Sequence, residues 1–163
     1  MYRVGIITAS DKGAAGERED LSGPAIREIL PAAMYQVVSS RIIPDDKEQI
    51  RQEIIRLSDS EDCRLILTTG GTGFSHRDVT PEATLEAAER MAPGIAEAIR
   101  SYSLAITNRA MLSRAVSAIR GSCLIINLPG SPKAVREALE YILDVIPHGL
   151  DILSGEAGEC GRK

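Results

Sequence analysis

The chain has 163 residues, of which 44% are hydrophobic and 26% are charged, and a formal net charge of -4 at pH 7; this length suits one globular domain and leaves little room for a second. The negative charge excludes a general attraction to nucleic acid or to an anionic membrane, so an anionic ligand would need a local site. No apolar stretch reaches the roughly 18 residues of a membrane span, and three cysteines without CxxC spacing argue against a disulfide framework or a zinc site and favour a reducing, cytoplasmic location.

Short apolar runs alternate along the chain with segments of helical periodicity. The runs are rich in Ile, Val and Leu and predict strands at residues 4–9, 65–69 and 124–128. The periodic segments predict helices over residues 25–30, 50–57 and 134–143. This alternation is typical of an α/β domain with a largely parallel sheet.

Two features modify this simple pattern. Residues 115–119 and 122–128 flank Arg120-Gly121, which predicts a tight hairpin and therefore an antiparallel strand in the sheet. No repeat or linker interrupts residues 1–153, so they are predicted to form a single domain. Residues 154–163 are rich in glycine and charge and predict a flexible tail.

The connection TTGGTGFSHRDVTPEAT, residues 68–84, follows a predicted strand and ends in a Thr-Pro-Glu helix start. Gly70, Gly71 and Gly73 leave its backbone without side chains, so N–H groups could converge there on phosphate oxygens. The loop has neither the GK[ST] ending of a Walker A motif nor the third glycine of a dinucleotide fingerprint. Taken alone, it is equally well explained as a tight turn whose glycines adopt positive φ.

Three further connections follow predicted strands and have a similar composition. Residues 10–24 can be interpreted as a flexible surface loop or as a lid over a ligand. Asp45 follows an apolar pair and has a glutamate three residues later, so a capping box is an alternative to a catalytic role. In NLPGSPK, residues 127–133, Ser131 is predicted to cap a helix beginning at Pro132, whose N-terminus could hold an anion.

The loops are more informative together, because parallel strands bring their carboxyl ends to one rim of the sheet. Asp11, Asp45 and Asp78 would then lie beside two glycine-containing loops. Carboxylates beside phosphate-binding backbone favour magnesium-dependent phosphoryl or nucleotidyl transfer, since Mg²⁺ takes one or two carboxylates plus substrate phosphates. Asp78 lies two residues before the predicted cap at Thr80, so capping does not explain it, whereas an ion pair with Arg77 would.

Five ordered motifs lie between Thr69 and Val135, and the similarity described below begins earlier, at Ser10-Asp11. They are TGGTGFSHRDVTPEAT, PGIAE at residues 93–97, MLSR at 111–114, IRGS at 119–122 and NLPGSPKAV at 127–135. Their order and spacing resemble the molybdenum cofactor biosynthesis family, specifically the molybdopterin adenylyltransferases of the MogA and gephyrin G-domain type.

This resemblance implies a three-layer α/β/α fold, a homotrimer, and transfer of AMP from ATP to the terminal phosphate of molybdopterin with release of pyrophosphate. It assigns catalysis and Mg²⁺ binding to Asp45 and Asp78, which match aspartates regarded as essential in the family. It also implies a set of residues that bind the nucleotide and the pterin: Ser10, Asp11, Gly70, Gly71, Thr72, Gly73, Ser113, Arg114, Gly130, Ser131 and Pro132. The product would pass to a MoeA-like molybdenum insertase.

Two alternatives stay open. A related MoaB-like branch suggests a non-catalytic molybdopterin-binding or scaffold protein, although the RDVTP and IPD segments here resemble those of active members. An apolar helix stripe is a candidate trimer surface, although such spacing is more often core. The stripe consists of Ile95, Ala98, Ile99, Tyr102 and Ile106.

Overall fold

The structure is a computed structural model that describes residues 1–155. Its strands are β1 Tyr2–Ala9, β2 Tyr35–Ile43, β3 Leu65–Thr69, β4 Arg90–Met91, β5 Ser117–Arg120 and β6 Cys123–Leu128. They form one sheet of order β2-β1-β3-β6-β5-β4. The first four strands in this order are parallel, whereas β5 is antiparallel to β6 and β4 is antiparallel to β5.

Helices cover both faces of the sheet. They are α1 Asp11–Ala14, α2 Ser22–Ile29, α3 Lys47–Ile55, α4 Thr80–Ala87, α5 Pro93–Leu104, α6 Pro132–Ile142 and α7 Ile146–Ser154, with a π-helical turn at Arg56–Ser60 and a 3₁₀ turn at Asn108–Leu112. One core lies between the sheet and α2, α5, α6 and α7, and the other lies between the sheet and α3 and α4. The predicted three-layer α/β/α fold is confirmed.

The two cores follow from the alternation of side chains along each strand. In β3, Leu65 and Leu67 join the first core and Ile66 joins the second, and all three are fully buried. Because both faces are covered, β3 and β6 are apolar except near their carboxyl ends, where they contain the buried polar residues Thr68, Thr69 and Asn127. Within residues 1–155 no helix is long and apolar enough to cross a bilayer.

Several sequence predictions need correction at their edges. The hairpin is confirmed, but its turn is Gly121-Ser122, because Arg120 pairs with Cys123 and Gly121 has a φ of 54°. Residues 10–24 are not a continuous loop, since they contain α1 and the start of α2. At the predicted tail, Ser154 ends α7 and Gly155 caps it in the left-handed conformation; the rest of that tail lies outside the described residues.

A buried polar cluster links β3, β6 and α4. The side-chain amide of Asn127 donates to Thr68 Oγ1 and to Thr84 Oγ1, both at 2.9 Å, and accepts from the Val116 N–H at 3.1 Å. Asn127, Thr68 and Thr84 are 0% exposed. Since an unpaired buried polar group is costly, this cluster favours one placement of α4 against the sheet.

We expect Asn127→Ala to lower the free energy of unfolding by about 2–4 kcal/mol, because it removes the acceptor of the Val116 N–H and opens a cavity. Urea unfolding followed by circular dichroism measures this loss. Asn108→Ala is the matched control, since Asn108 is exposed and its truncation should change stability by no more than about 0.5 kcal/mol. Equal losses in the two variants would contradict the role of the cluster.

Candidate functional site

A cleft of about 590 Å³ opens at the carboxyl ends of β1 and β3, which lie side by side. The chain leaves β1 towards α2 on one face of the sheet and leaves β3 towards α4 on the other. Ligands of open α/β sheets bind where successive crossovers diverge in this way. The cleft is lined by eight of the predicted site residues, namely Ser10, Asp45, Gly70, Gly71, Asp78, Gly130, Ser131 and Pro132.

Close backbone contacts require the two glycines that follow β3. Gly70 and Gly71 have φ values of 85° and 66°. A Cβ atom on Gly70 would lie 2.4 Å from the Ala9 carbonyl oxygen, and one on Gly71 would lie 2.4 Å from Thr80 Oγ1 and 3.2 Å from Asp45 Oδ1. The turn therefore needs glycine at both positions, as the structural interpretation predicts. Because neither residue has a side chain, the backbone of Gly70 and Gly71 itself lines the cleft.

Asp45 connects the loops that follow β1 and β2. Its Oδ2 accepts from the Asp11 N–H at 2.9 Å, and its own N–H donates to Asp11 Oδ1 at 3.0 Å. The predicted capping box at Asp45 is wrong, because Asp46 is the N-cap of α3 and accepts from the Gln49 N–H at 2.8 Å. The Asp45 carboxylate is therefore not needed to cap α3.

The surroundings of Asp45 disfavour its negative charge. Burial raises the pKa of Asp45, and the charges of Asp11 and Asp78 raise it further, while the hydrogen bond from Asp11 and the nearby Arg77 oppose these effects. A bound cation beside Asp45 would remove this excess of negative charge.

Asp78 closes a turn within the glycine loop. Its Oδ2 accepts from the Ser75 N–H at 3.0 Å, and a Cβ atom on Gly73 would lie 2.9 Å from this oxygen. The alternative ion pair between Asp78 and Arg77 is not present, because the Arg77 guanidinium binds Asp11 through two contacts of 2.9 Å. Asp78 thus has a local structural role in addition to its position in the cleft.

The loop after β6 brings a helix N-terminus to the cleft. Ser131 is confirmed as the N-cap of α6, which begins at Pro132, and its Oγ accepts from the Ala134 N–H at 3.2 Å. Thr80 differs from its prediction, since it is the first residue of α4 and Val79 is the N-cap. The N-terminus of α6 can attract an anion through its dipole.

Five predicted site residues do not line the cleft: Asp11, Thr72, Gly73, Ser113 and Arg114. The Arg114 guanidinium donates to the carbonyl oxygens of Gly73 and Asp78, both at 2.7 Å, and pairs with Glu82. The Arg114 N–H donates to the Thr72 carbonyl oxygen at 2.9 Å, and the Ser113 hydroxyl accepts from a backbone N–H at 3.3 Å. These contacts make Arg114 a support for the glycine loop.

Sequence reasoning missed Asp20, which lines the cleft. Its Oδ2 accepts from Thr8 Oγ1 at 2.8 Å, and its Oδ1 accepts from the N–H groups of Ser22 and Gly23, each at 3.0 Å. The Ser22 hydroxyl then donates to the Gly130 carbonyl oxygen at 2.9 Å. An aspartate two residues before a Ser-Gly-Pro helix start is a sequence signal for such a turn.

The cleft has more acidic than basic side chains. Glu19, Asp20, Asp45 and Asp78 line it together with one basic residue, Arg18, for which the sequence held no signal. Within residues 1–155 no group of three His, Cys, Asp or Glu side chains is placed to enclose a metal ion. A metal ion here would have one or two carboxylate ligands and would complete its coordination with phosphate or water, as Mg²⁺ prefers.

Comparisons with known proteins identify the family of this chain. The family described as "Probable molybdopterin binding domain" matches residues 5–148. A molybdopterin adenylyltransferase from Helicobacter pylori is 40% identical over 162 residues, which cover 98% of this chain and 92% of that protein. The molybdopterin adenylyltransferase of Escherichia coli is 43% identical over 154 residues, which cover 91% of this chain and 79% of that protein.

A solved structure extends the likeness to three dimensions. The molybdopterin biosynthesis enzyme MoaB from Thermus thermophilus has a TM-score of 0.90 at 47% identity, over 98% of this chain and 100% of that chain. The family match, residues 5–148, includes the central sheet and the whole cleft. This chain therefore belongs to the molybdopterin-binding family of molybdenum cofactor biosynthesis proteins.

Proposed function

We propose that this protein is a nucleotidyltransferase that adenylylates molybdopterin. One observation carries the proposal: Asp45 and Asp78 share a cleft with the backbone of Gly70 and Gly71 and with the N-terminus of α6. The relatives that share 40–43% identity with this chain and are named molybdopterin adenylyltransferase support it. The substrates are accordingly ATP and molybdopterin.

The reaction forms one phosphorus–oxygen bond and breaks another. A terminal phosphate oxygen of molybdopterin bonds to the α-phosphorus of ATP, the bond from this phosphorus to the oxygen that leads to the β-phosphorus breaks, and pyrophosphate leaves with the electron pair. The attacking oxygen is already anionic, so no protein nucleophile is required. Catalysis depends on positioning the two phosphates and on neutralising their charge.

The residues of the cleft fit these tasks. Asp45 and Asp78 would hold Mg²⁺, and bound Mg²⁺ supplies positive charge to the phosphates of ATP. The backbone of Gly70, Gly71 and Gly130 and the N-terminus of α6 would orient phosphate groups. Ser10 would complete the wall at β1, whereas a contact of Asp11 with substrate stays a prediction from the family resemblance. Contacts of Thr72, Gly73, Ser113 and Arg114 with substrate stay predictions from the family resemblance.

A non-catalytic molybdopterin-binding protein is the second candidate. It stays open because the sequence also resembles the MoaB-like branch; the solved MoaB structure at 47% identity is described as a biosynthesis enzyme, so its name does not decide between the two candidates. Both candidates would bind molybdopterin in this cleft, and they differ only in whether adenylyl transfer takes place.

The proposed homotrimer needs an apolar surface, and the predicted stripe on α5 only partly provides one. Ile99 is buried in the core, Ile95 packs against that core, and Tyr102 stacks on Tyr141 with 4.3 Å between ring centroids. Four exposed apolar residues lie at the C-terminal end of α5 and just after it, and one of them, Ile106, belongs to the predicted stripe. We call them the α5 patch, which consists of Leu104, Ile106, Met111 and Leu112.

We propose that the α5 patch contacts a second copy of this chain in a closed ring of three, a heterologous interface. Transfer of the product to a MoeA-like insertase and a cytoplasmic location stay predictions from the sequence.

We expect the purified protein to form adenylyl-molybdopterin and pyrophosphate from anaerobic molybdopterin, ATP and Mg²⁺. Chelation of the metal should abolish both products, because the cleft lacks the positive charge that ATP requires. Product chromatography and a coupled pyrophosphate assay, with a control that lacks pterin, measure this. Tight pterin binding without either product would instead assign the chain to the non-catalytic candidate.

We expect Asp45→Asn and Asp78→Asn each to lower kcat/KM for ATP by about 10²–10³-fold, because a neutral amide holds a divalent cation poorly. Each asparagine keeps an oxygen that can accept the N–H of Asp11 or of Ser75, so the thermal unfolding midpoint should change little. Steady-state pyrophosphate release and calorimetry measure the two effects.

Asp46→Asn is the matched control for Asp45→Asn. It removes the same charge one residue away, and asparagine caps a helix as well as aspartate does, so kcat/KM should stay near the wild-type value. Equal losses at both positions would reveal a general charge effect and would remove the assigned role of Asp45.

We expect Met111→Glu to convert the trimer into monomers, because it places a charge in the α5 patch. Sedimentation equilibrium distinguishes the 17.5 kDa monomer from a particle of three times that mass. Val145→Glu is the control, since Val145 is also exposed but lies between α6 and α7. A Met111→Glu protein that stays trimeric would exclude the α5 patch as the interface.

A further inference from the structure

Arg77 and its partner Asp11 are the chain neighbours of Asp78 and Ser10, which line the cleft. Its Nε and Nη2 donate to the two carboxylate oxygens of Asp11 at 2.9 Å each. The two side chains are 63% and 43% exposed. Because exposed ion pairs contribute little to stability, Arg77 can leave Asp11 at a small cost.

Asp11 does not depend on Arg77 for its position. Asp11 Oδ1 also accepts from the Asp45 N–H at 3.0 Å, and the Asp11 N–H donates to Asp45 Oδ2 at 2.9 Å. If Arg77 leaves, these bonds still hold the two loops together. The two carboxylates would then lie side by side without a counter-ion, an arrangement that a bound cation stabilises.

Arg114 also contacts the glycine loop, and several partners hold its guanidinium in place. Arg114 binds the carbonyl oxygens of Gly73 and Asp78 and the carboxylate of Glu82, so its departure would release the loop. Within residues 1–155 the Arg77 guanidinium has a single hydrogen-bonding partner, Asp11. Arg114 therefore stabilises the fold, whereas Arg77 can exchange its one partner without releasing the loop.

We propose that Arg77 exchanges Asp11 for phosphate oxygens of the nucleoside triphosphate, while the divalent cation held at Asp45 replaces its positive charge next to Asp11. The identity of the nucleotide rests on the proposed function. The planar fork that binds the two oxygens of the Asp11 carboxylate also matches two oxygens of a phosphate. A cleft lined by four acidic side chains and one basic side chain needs this additional positive charge to hold a triphosphate.

This exchange makes Arg77 a competitor of the metal ion when nucleotide is absent. We therefore expect Arg77→Gln to affect the two ligands in opposite directions. ATP, titrated calorimetrically with Mg²⁺ and without molybdopterin, should bind about tenfold more weakly, because a charge-assisted contact is lost. Mn²⁺ alone, titrated by electron paramagnetic resonance, should bind about two- to fivefold more tightly, because Arg77 no longer neutralises Asp11.

Two further variants make the test specific. Arg77→Lys keeps the charge but loses the fork, so its ATP affinity should lie between those of the wild type and Arg77→Gln. Arg51→Gln removes the arginine of another surface pair, with Glu48 on α3, and both affinities should equal those of the wild type.

The exchange is overturned if Arg77→Gln binds ATP as the wild type does, or if its affinities for ATP and Mn²⁺ fall together, as a purely structural role of Arg77 would predict. Pyrophosphate release by the wild type tests the proposed function separately. Its failure with the opposed binding effects intact would remove adenylyl transfer and support the exchange. A wild type that does not bind ATP would overturn both.

Discussion

The close approach of Gly70 and Gly71 to the neighbouring loops sets the geometry of the cleft. A side chain on Gly70 would collide with the Ala9 carbonyl oxygen, so the loop after β3 would have to move away from β1. The carbonyl oxygen of Gly71 accepts from the Thr80 N–H at 3.1 Å, and the same movement would displace the start of α4. The position of Asp78 relative to Asp45 therefore depends on both glycines, and any binding of phosphate by this backbone follows from that packing.

The charges of the cleft follow from the same convergence of loops. Three loops bring Asp11, Asp45 and Asp78 close enough that the charges of Asp11 and Asp78 raise the pKa of Asp45. The hydrogen-bonded guanidinium of Arg77 instead holds the pKa of Asp11 below its ordinary value. Arg77 thus neutralises one carboxylate at the outer edge and leaves the more buried Asp45 without a direct cationic partner. This asymmetry favours cation binding at Asp45 and makes Arg77 the mobile charge of the site.

The sequence predicted the central strands better than the edges of the sheet, for a physical reason. β3 is covered on both faces and reads as a mostly apolar run, and its bounds, Leu65–Thr69, are those predicted. β2 is an edge strand whose apolar pairs are separated by exposed or half-exposed polar residues, so it forms no continuous apolar run and only its last two residues were used in the prediction. β4 consists of two exposed residues and has no hydrophobic pattern at all.

The sequence predicted that the site residues meet at the carboxyl ends of the parallel strands, but it did not predict which side chains pair with one another. The parallel sheet places Asp45 and Asp78 in one cleft, whereas the contact of Arg77 with Asp11 joins residues 66 positions apart and has no local signal. Asp45 and Asp46 both precede α3 and both have suitable capping spacing, so sequence alone does not separate them. The structure separates their roles: because Asp46 caps α3, the Asp45 side chain can bind back to the loop after β1. Capping by Asp46 thus leaves the neighbouring Asp45 carboxylate available to line the cleft.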